Sequence, residues 1–247
     1  MSRKPADGAA PLEGLDAELF APGLLHELRQ PLMGADAAAT LLERSLGASL
    51  TGAEDWRLLR GQLARLAEIV GGFEDLLRPA ATPPAPFAVG PTVRRAVELL
   101  AHRLRPLGSR FALELGPGGL EGFGRPSALV HAATNLVANA LDALDGAPGA
   151  PRLEVRVLGA RGDGSVEVRV SDEGAGVSLE ARERIFEPRF TTKALSGTGL
   201  GLYVARRLMA QNGGQVYLVS EEDPARVPWA VTEFCVTVPA PADGGAR

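Results

Sequence analysis

His26 and Glu27 set an imidazole beside a carboxylate. An imidazole at the edge of an apolar helical stripe can act as a nucleophile or a base, although a lone surface histidine on a helix is most often just solvated. In the run Asn135-Leu136-Val137-Ala138-Asn139-Ala140-Leu141-Asp142-Ala143, two asparagines stand four residues apart, so on a helix both amides project from one face. Their oxygens could hold a hard cation such as Mg²⁺ together with phosphate oxygens. The plain alternative is a pair of surface or capping asparagines. Asparagine is a poor helix former, and two copies inside an Ala- and Leu-rich run favour a working role.

Asp172 closes a strand-like run and is followed by Glu173-Gly174-Ala175-Gly176. A carboxylate there can accept from the exocyclic amine of a base, and the two glycines let backbone approach a flat ring. Strand–Asp–Gly turns are common, so this piece alone is weak. In Ile185-Phe186-Glu187-Pro188-Arg189-Phe190-Thr191-Thr192-Lys193, the ordinary reading of Phe186 is core packing, while Thr192 and Lys193 suit a loop closing over phosphates. Gly197-Thr198-Gly199-Leu200-Gly201 turns a loop into a helix, where backbone N–H groups and the helix dipole make an anion site. It lacks the Lys-Ser/Thr ending of a Walker loop and does not follow a strand. His102 and His131 have neither an acidic neighbour nor metal-ligand spacing and read as structural.

The elements that would position these groups follow from periodicity. Residues 1–14, rich in Ala, Gly and Pro, read as a mobile tail. From Asp16 to Leu46 the apolar positions Leu25, Leu28, Leu32, Ala35, Ala39, Leu42 and Leu46 alternate steps of three and four, a seam for pairing with other helices. Pro22 marks the first turn and Pro31 predicts a kink. Gly47 to Thr51 breaks the helix, and Thr51-Gly52-Ala53-Glu54 has the form of a capping box. A second seam runs through Trp56, Leu59, Leu63, Leu66, Val70, Phe73 and Leu77. Two such helices form an antiparallel hairpin over 15–78, and two copies can bury their seams as a four-helix bundle, which predicts a homodimer.

Residues 79–86 form a proline-rich linker. Over 87–240 the pattern predicts helices at 91–104, 127–144 and 199–211, and strands at 110–115, 153–158, 166–171, 215–220 and 231–238. Three helices on one mixed sheet make a two-layer α/β sandwich. Residues 241–247 read as a tail. The fold class is thus α + α/β.

At 247 residues and net charge -4 the chain is an ordinary globular protein without the basic stripe that nucleic-acid binding needs. Cys235, the single cysteine, rules out an internal disulfide framework and fits a small core filler in a reducing compartment. No signal peptide is visible and no apolar run nears the roughly 20 residues of a membrane span, so a cytoplasmic location is expected. With almost nothing before Leu15, input is expected from a separate sensory or regulatory protein.

In order along the chain, the asparagine helix, the Asp-Gly turn, the Phe loop and the Gly-rich loop resemble the N, G1, F and G2 boxes of sensor histidine kinases in the GHKL ATPase superfamily. His26-Glu27-Leu28-Arg29-Gln30-Pro31-Leu32 looks like the H box of their dimerisation domain. The resemblance covers about residues 16–238, and its nearest flavour is the nitrogen-regulation type. It implies an ATP- and Mg²⁺-dependent kinase in which His26 attacks the γ-phosphate and Glu27 takes the imidazole proton. It also implies that the phosphoryl group passes to an aspartate of a response-regulator receiver domain. Asn139 would ligate Mg²⁺ with Asn135 assisting, and Asp172 would accept from adenine with Gly174 and Gly176 shaping that wall. Lys193, Gly197, Thr198, Gly199 and Gly201 would line the lid and phosphate side, and Thr232 would help to hold adenine.

Three departures stand out. Gln30 lies where phosphatase-active members carry Asn or Thr; glutamine can also orient a water, so regulator dephosphorylation stays open. Arg189 replaces an aromatic in the lid region, and His131 stands where Gln is common. Two rival readings are a non-catalytic phosphotransfer or allosteric partner of the same architecture, and an ATPase clamp or serine-kinase regulator of the wider superfamily. The intact nucleotide motifs oppose the first, and the His26-Glu27 hairpin opposes the second.

Overall fold

A computed structural model describes residues 17–51, 53–77, 83–145, 147–159, 162, 164–191 and 199–241, with side chains defined except at 17–27, 48, 64–65, 68–69 and 71–77. The chain divides into two compact units, Met1–Arg78 and Pro79–Arg247.

The first unit is a helical hairpin: α1 (Ala17–Leu46), a single turn α2 (Ala48–Thr51) and α3 (Glu54–Leu77). Trp56 Nε1 donates to Glu43 Oε1 at 3.0 Å, while Arg60 bonds Asp36 at 2.6 Å and lies 3.2 Å from Glu43. Partners that fall in α1 as they rise in α3 make the pair antiparallel. Two local expectations fail. Pro22 sits beyond the first turn, because α1 already begins at Ala17. Thr51 ends α2, with its hydroxyl donating to Gly47 O at 3.4 Å, so it does not open a capping box; Gly47, at φ 57°, makes the break. Within one copy the seams are mostly open: Ala39 and Trp56 are buried, whereas Leu28, Leu42, Leu46, Leu59 and Leu66 are exposed. The exposed ion pairs between the helices add at most about 1 kcal/mol each, less than the roughly 1.5–3 kcal/mol that burying each leucine would contribute.

The first strand of the second unit, β1 (Ala85–Ala88), begins inside the stretch expected to be linker and pairs antiparallel with β3 (Glu121–Gly124). Neither strand was expected, since Pro86, Gly122 and Gly124 are poor strand formers. Between them lie α4 (Val89–Leu99), α5 (Ala101–Leu104), a 3₁₀ stretch (Arg105–Arg110) and β2 (Phe111–Glu114). One helix was expected over the span that α4 and α5 share; Leu100 leaves the helical region at φ -104°, ψ 11° and divides it. Then follow α6 (Pro126–Leu144), β4 (Leu153–Leu158), β5 (Val166–Asp172), α7 (Leu179–Arg182), α8 (Gly201–Ala210), β6 (Gln215–Leu218) and β7 (Thr232–Val238).

The main sheet has the order β2-β4-β5-β7-β6, parallel at β2–β4 and antiparallel elsewhere. Helices α4, α6 and α8 cover one face, against which Val168, Val170, Phe234 and Val236 are buried. This is the two-layer sandwich that alternation predicts. The strand β5 is nevertheless buried along its whole length. Its second face carries Glu167, Arg169 and Ser171, and the segment 219–231 between β6 and β7 folds over it through Asp223, Ala225 and Val227. Cys235 is buried in β7, as a core filler should be.

Candidate active site

The ladder between β5 and β7 ends on the pair Asp172 and Thr232, and both residues are buried. Main chain holds the rung on both sides: Val231 N donates to Asp172 O at 2.9 Å, and Glu173 N donates to Arg152 O at 3.1 Å. The carboxylate of Asp172 accepts from Gly174 N at 2.8 Å, its one donor among the described residues. Burial pushes its pKa up to about 6, against the opposing pull of the Gly174 N–H. A buried carboxylate with spare acceptor capacity is poised for a donor such as an aromatic amine.

The turn after Asp172 needs its glycines for different reasons. A Cβ on Gly174 would lie 2.7 Å from the Ala143 carbonyl, so only glycine lets the turn touch the end of α6. Ala175 N then donates to Ala143 O at 3.1 Å, joining turn and helix. Gly176 has φ 80° and faces Val231. Outside this wall Arg152 binds Glu173 through two guanidinium nitrogens, holding the Glu173 carboxyl below its usual range, and lies 4.6 Å over the Trp229 ring.

From Ala143 the asparagines step back along α6, Asn139 by one turn and Asn135 by two, and both are half-buried on its open side. His131, one further turn back, borders a cavity of about 590 Å³ between α4 and α6 that Pro91, Arg95 and Leu99 also line. Its lining includes neither Asp172 nor Thr232; burial and chemistry locate the site.

On the far side, Arg189 takes φ 67° and donates from its N–H to Gly199 O at 2.9 Å. Gly199, at φ 64°, has its Cα against Arg189 and Phe190, where a Cβ would lie 2.6 Å from Phe190 O. Gly201 opens α8, and the α8 N-terminus thus follows directly on this contact. Phe186 meets Phe234 edge-on at 6.2 Å, so it does pack as core, with the Arg206 guanidinium 5.0 Å over its ring. The Arg184 guanidinium lies 4.6 Å over Phe190. Arginines thus lie over two phenylalanines here, and the backbone at Arg189 is left-handed.

The structure therefore brings Asp172, Gly174, Gly176 and Thr232 together at the end of α6, with Asn139 and Asn135 on the same helix. Lys193, Gly197 and Thr198 lie outside the described residues. His26 and Glu27 fall on α1 in the other unit, their side chains undescribed, and Gln30 there is exposed. Sequence reasoning missed Ala143, Arg152, Glu173 and Trp229. The first is hidden because a close approach leaves no mark on an alanine; the Arg–Glu pair spans two strands whose register had to be known.

A mixed sheet under three helices, with an aspartate at the end of a central strand beside an asparagine-bearing helix, is the arrangement that the resemblance to GHKL-type ATPases implies. Residues 124–242 match the family of histidine kinase-, DNA gyrase B- and HSP90-like ATPases. The C4-dicarboxylate transport sensor protein DctB of Rhizobium meliloti is 35% identical over 223 residues, covering 85% of this chain and 33% of DctB. The sensor histidine kinase AruS of Pseudomonas aeruginosa is 34% identical over 238 residues, covering 88% of this chain and 22% of AruS. Among solved structures, full-length ShkA in complex with AMPPNP has a TM-score of 0.58 at 26% identity, covering 91% of this chain and 46% of that one. The catalytic domain of histidine kinase ThkA, at TM-score 0.52 and 24% identity over 64% of this chain and 96% of that one, shares the fold. The chain is a relative of the two-component sensor histidine kinases, and it spans a third or less of the length of the first three curated relatives it matches.

Proposed function

We propose that the chain is an ATP-dependent protein-histidine kinase that phosphorylates itself on His26 and passes the phosphoryl group to an aspartate of a response-regulator receiver domain. The observation that carries the reading is Asp172: a buried carboxylate with one donor, set against the end of the asparagine helix. Asp172 accepts from the adenine amine, Thr232 holds the base from the neighbouring strand, and Gly174 and Gly176 keep the wall flat. Asn139, assisted by Asn135, supplies amide oxygen to Mg²⁺. This hard-donor set fits a cation that binds one or two protein ligands and otherwise keeps phosphate and water, and it neutralises charge on the triphosphate. Lys193, Gly197, Thr198, Gly199 and Gly201 close the phosphate side.

His26 attacks the γ-phosphorus, the bond to the bridging oxygen breaks, and ADP leaves while Glu27 accepts the imidazole proton. Gln30, exposed one turn on, would orient a water for the reverse hydrolysis on the regulator. The open leucine seams of α1 and α3 support a homodimer whose hairpins form a four-helix bundle. No helix among the described residues is long and apolar enough to cross a membrane, and ATP as donor sets the reaction in the cytoplasm. Incubation with γ-labelled ATP and Mg²⁺ should give an acid-labile, base-stable phosphoprotein that His26→Gln abolishes. Label that survives this substitution would refute the assignment; no nucleotide binding at millimolar ATP would favour a relay protein instead.

A further inference from the structure

The rung that follows Ser171·Glu233 in the β5–β7 ladder is Asp172·Thr232, the last one. Terminal rungs are held by fewer bonds than interior ones and are the first to fray. Here the penultimate rung is fastened on the sheet's second face by buried charge. Glu233, fully buried, accepts from Ser171 Oγ at 2.9 Å, Arg169 Nη1 at 2.9 Å, Val227 N at 3.2 Å and Arg156 Nη2 at 3.3 Å. Arg169, almost as buried, also bonds Glu167 at 2.8 Å and Asp223 at 3.1 Å. Burial opposes the Arg169 charge, yet its bonds to Asp223, Glu233 and Glu167 outweigh that cost and hold its pKa above the ordinary value. Asp223 and Val227 belong to the segment that also supplies Val231 N to Asp172 O. One carboxylate thus ties together β4, β5, β7 and the 219–231 cover directly behind the base wall.

Resting on the kinase reading above, we infer that Glu233 and Arg169 are positioning residues for base recognition. Acting through Ser171 and the cover segment, they fix the rung that presents Asp172 and Thr232 to the adenine amine. Neither faces the base, since alternation along the strands turns both away from it. A buried network of charge-assisted bonds that sets a single geometry behaves in this way.

Calorimetric titration of the full chain with MgATP and with Mg-inosine triphosphate, which carries an oxo group in place of the amine, tests it. Glu233→Gln keeps shape and removes charge, and the milder Ser171→Ala removes one hydrogen bond if the first variant folds poorly. The expected result is an ATP affinity reduced by about tenfold with inosine triphosphate affinity little changed, so that the preference for ATP collapses. A purely structural role scales both nucleotides together through the folded fraction; an unchanged ATP preference in folded Ser171→Ala and Glu233→Gln overturns the inference. Wild-type chain that binds neither nucleotide refutes the kinase reading itself, and this inference with it.

Discussion

Gly174 lies so close to Ala143 that a methyl group between them would overlap the Ala143 carbonyl. That contact joins the Asp172 turn to the helix bearing Asn135 and Asn139, and it sets the distance between the two halves of the proposed nucleotide site. Gly174→Ala should push the turn away from α6. We expect a destabilisation of about 1–3 kcal/mol by chemical denaturation, and a larger loss of MgATP affinity than stability alone explains. Retention of wild-type affinity would show that the contact does not set the site.

Ionised Asp172 is the stronger acceptor for an amine, because a protonated carboxyl keeps only part of its acceptor capacity, and burial raises its pKa to about 6. MgATP affinity should therefore fall as pH drops through 6, to about a tenth of its plateau near pH 5. In the free chain the sign is opposite. The folded pKa stands above the unfolded value of about 3.9, so the native state holds the extra proton between them. The stability this proton supplies is full below about pH 4 and is lost as pH rises through about 6. Asp172→Asn should then raise the stability of the nucleotide-free chain at pH 8 by on the order of 2 kcal/mol while weakening ATP binding. Thermal melts at pH 5 and pH 8 check the first arm and titration with ATP the second.

The leucine seams make a third prediction. Leu42 and Leu59 are 45% and 48% exposed in a single hairpin. A charge at either position would be solvated in one copy and buried in a bundle, at several kcal/mol per ion. Leu59→Arg should convert the chain to a monomer in sedimentation or light scattering while the second unit still binds MgATP. A dimer that persists would place the interface elsewhere.

Much of the sandwich was legible because β4, β5 and β7 alternate and α6 repeats its apolar positions. The lost pieces share a cause. β1 and β3 are built on Pro86, Gly122 and Gly124, whose presence in strands depends on a partner segment that local propensity does not see. Thr51-Gly52-Ala53-Glu54 had the letters of a capping box, but Gly47 broke the chain first and left Thr51 inside α2. Val166-Glu167-Val168-Arg169-Val170-Ser171 alternates like a strand with one face in water. Its polar face is instead enclosed by residues 219–231, which have no periodicity of their own. Asp172 and the asparagines were recognisable by order and type; that Thr232 closes the same rung required the register.

Ser171 and Glu233 are 62 residues apart in sequence yet bonded side chain to side chain. A ribosome making this protein must release the last strand of the sheet before the base wall can close. Until then β5 offers an unpaired edge with a charged, half-built face, and nucleotide cannot help the emerging chain to fold. While the chain from Asp172 to Thr232 is being made, that edge stays uncovered and is open to mispairing.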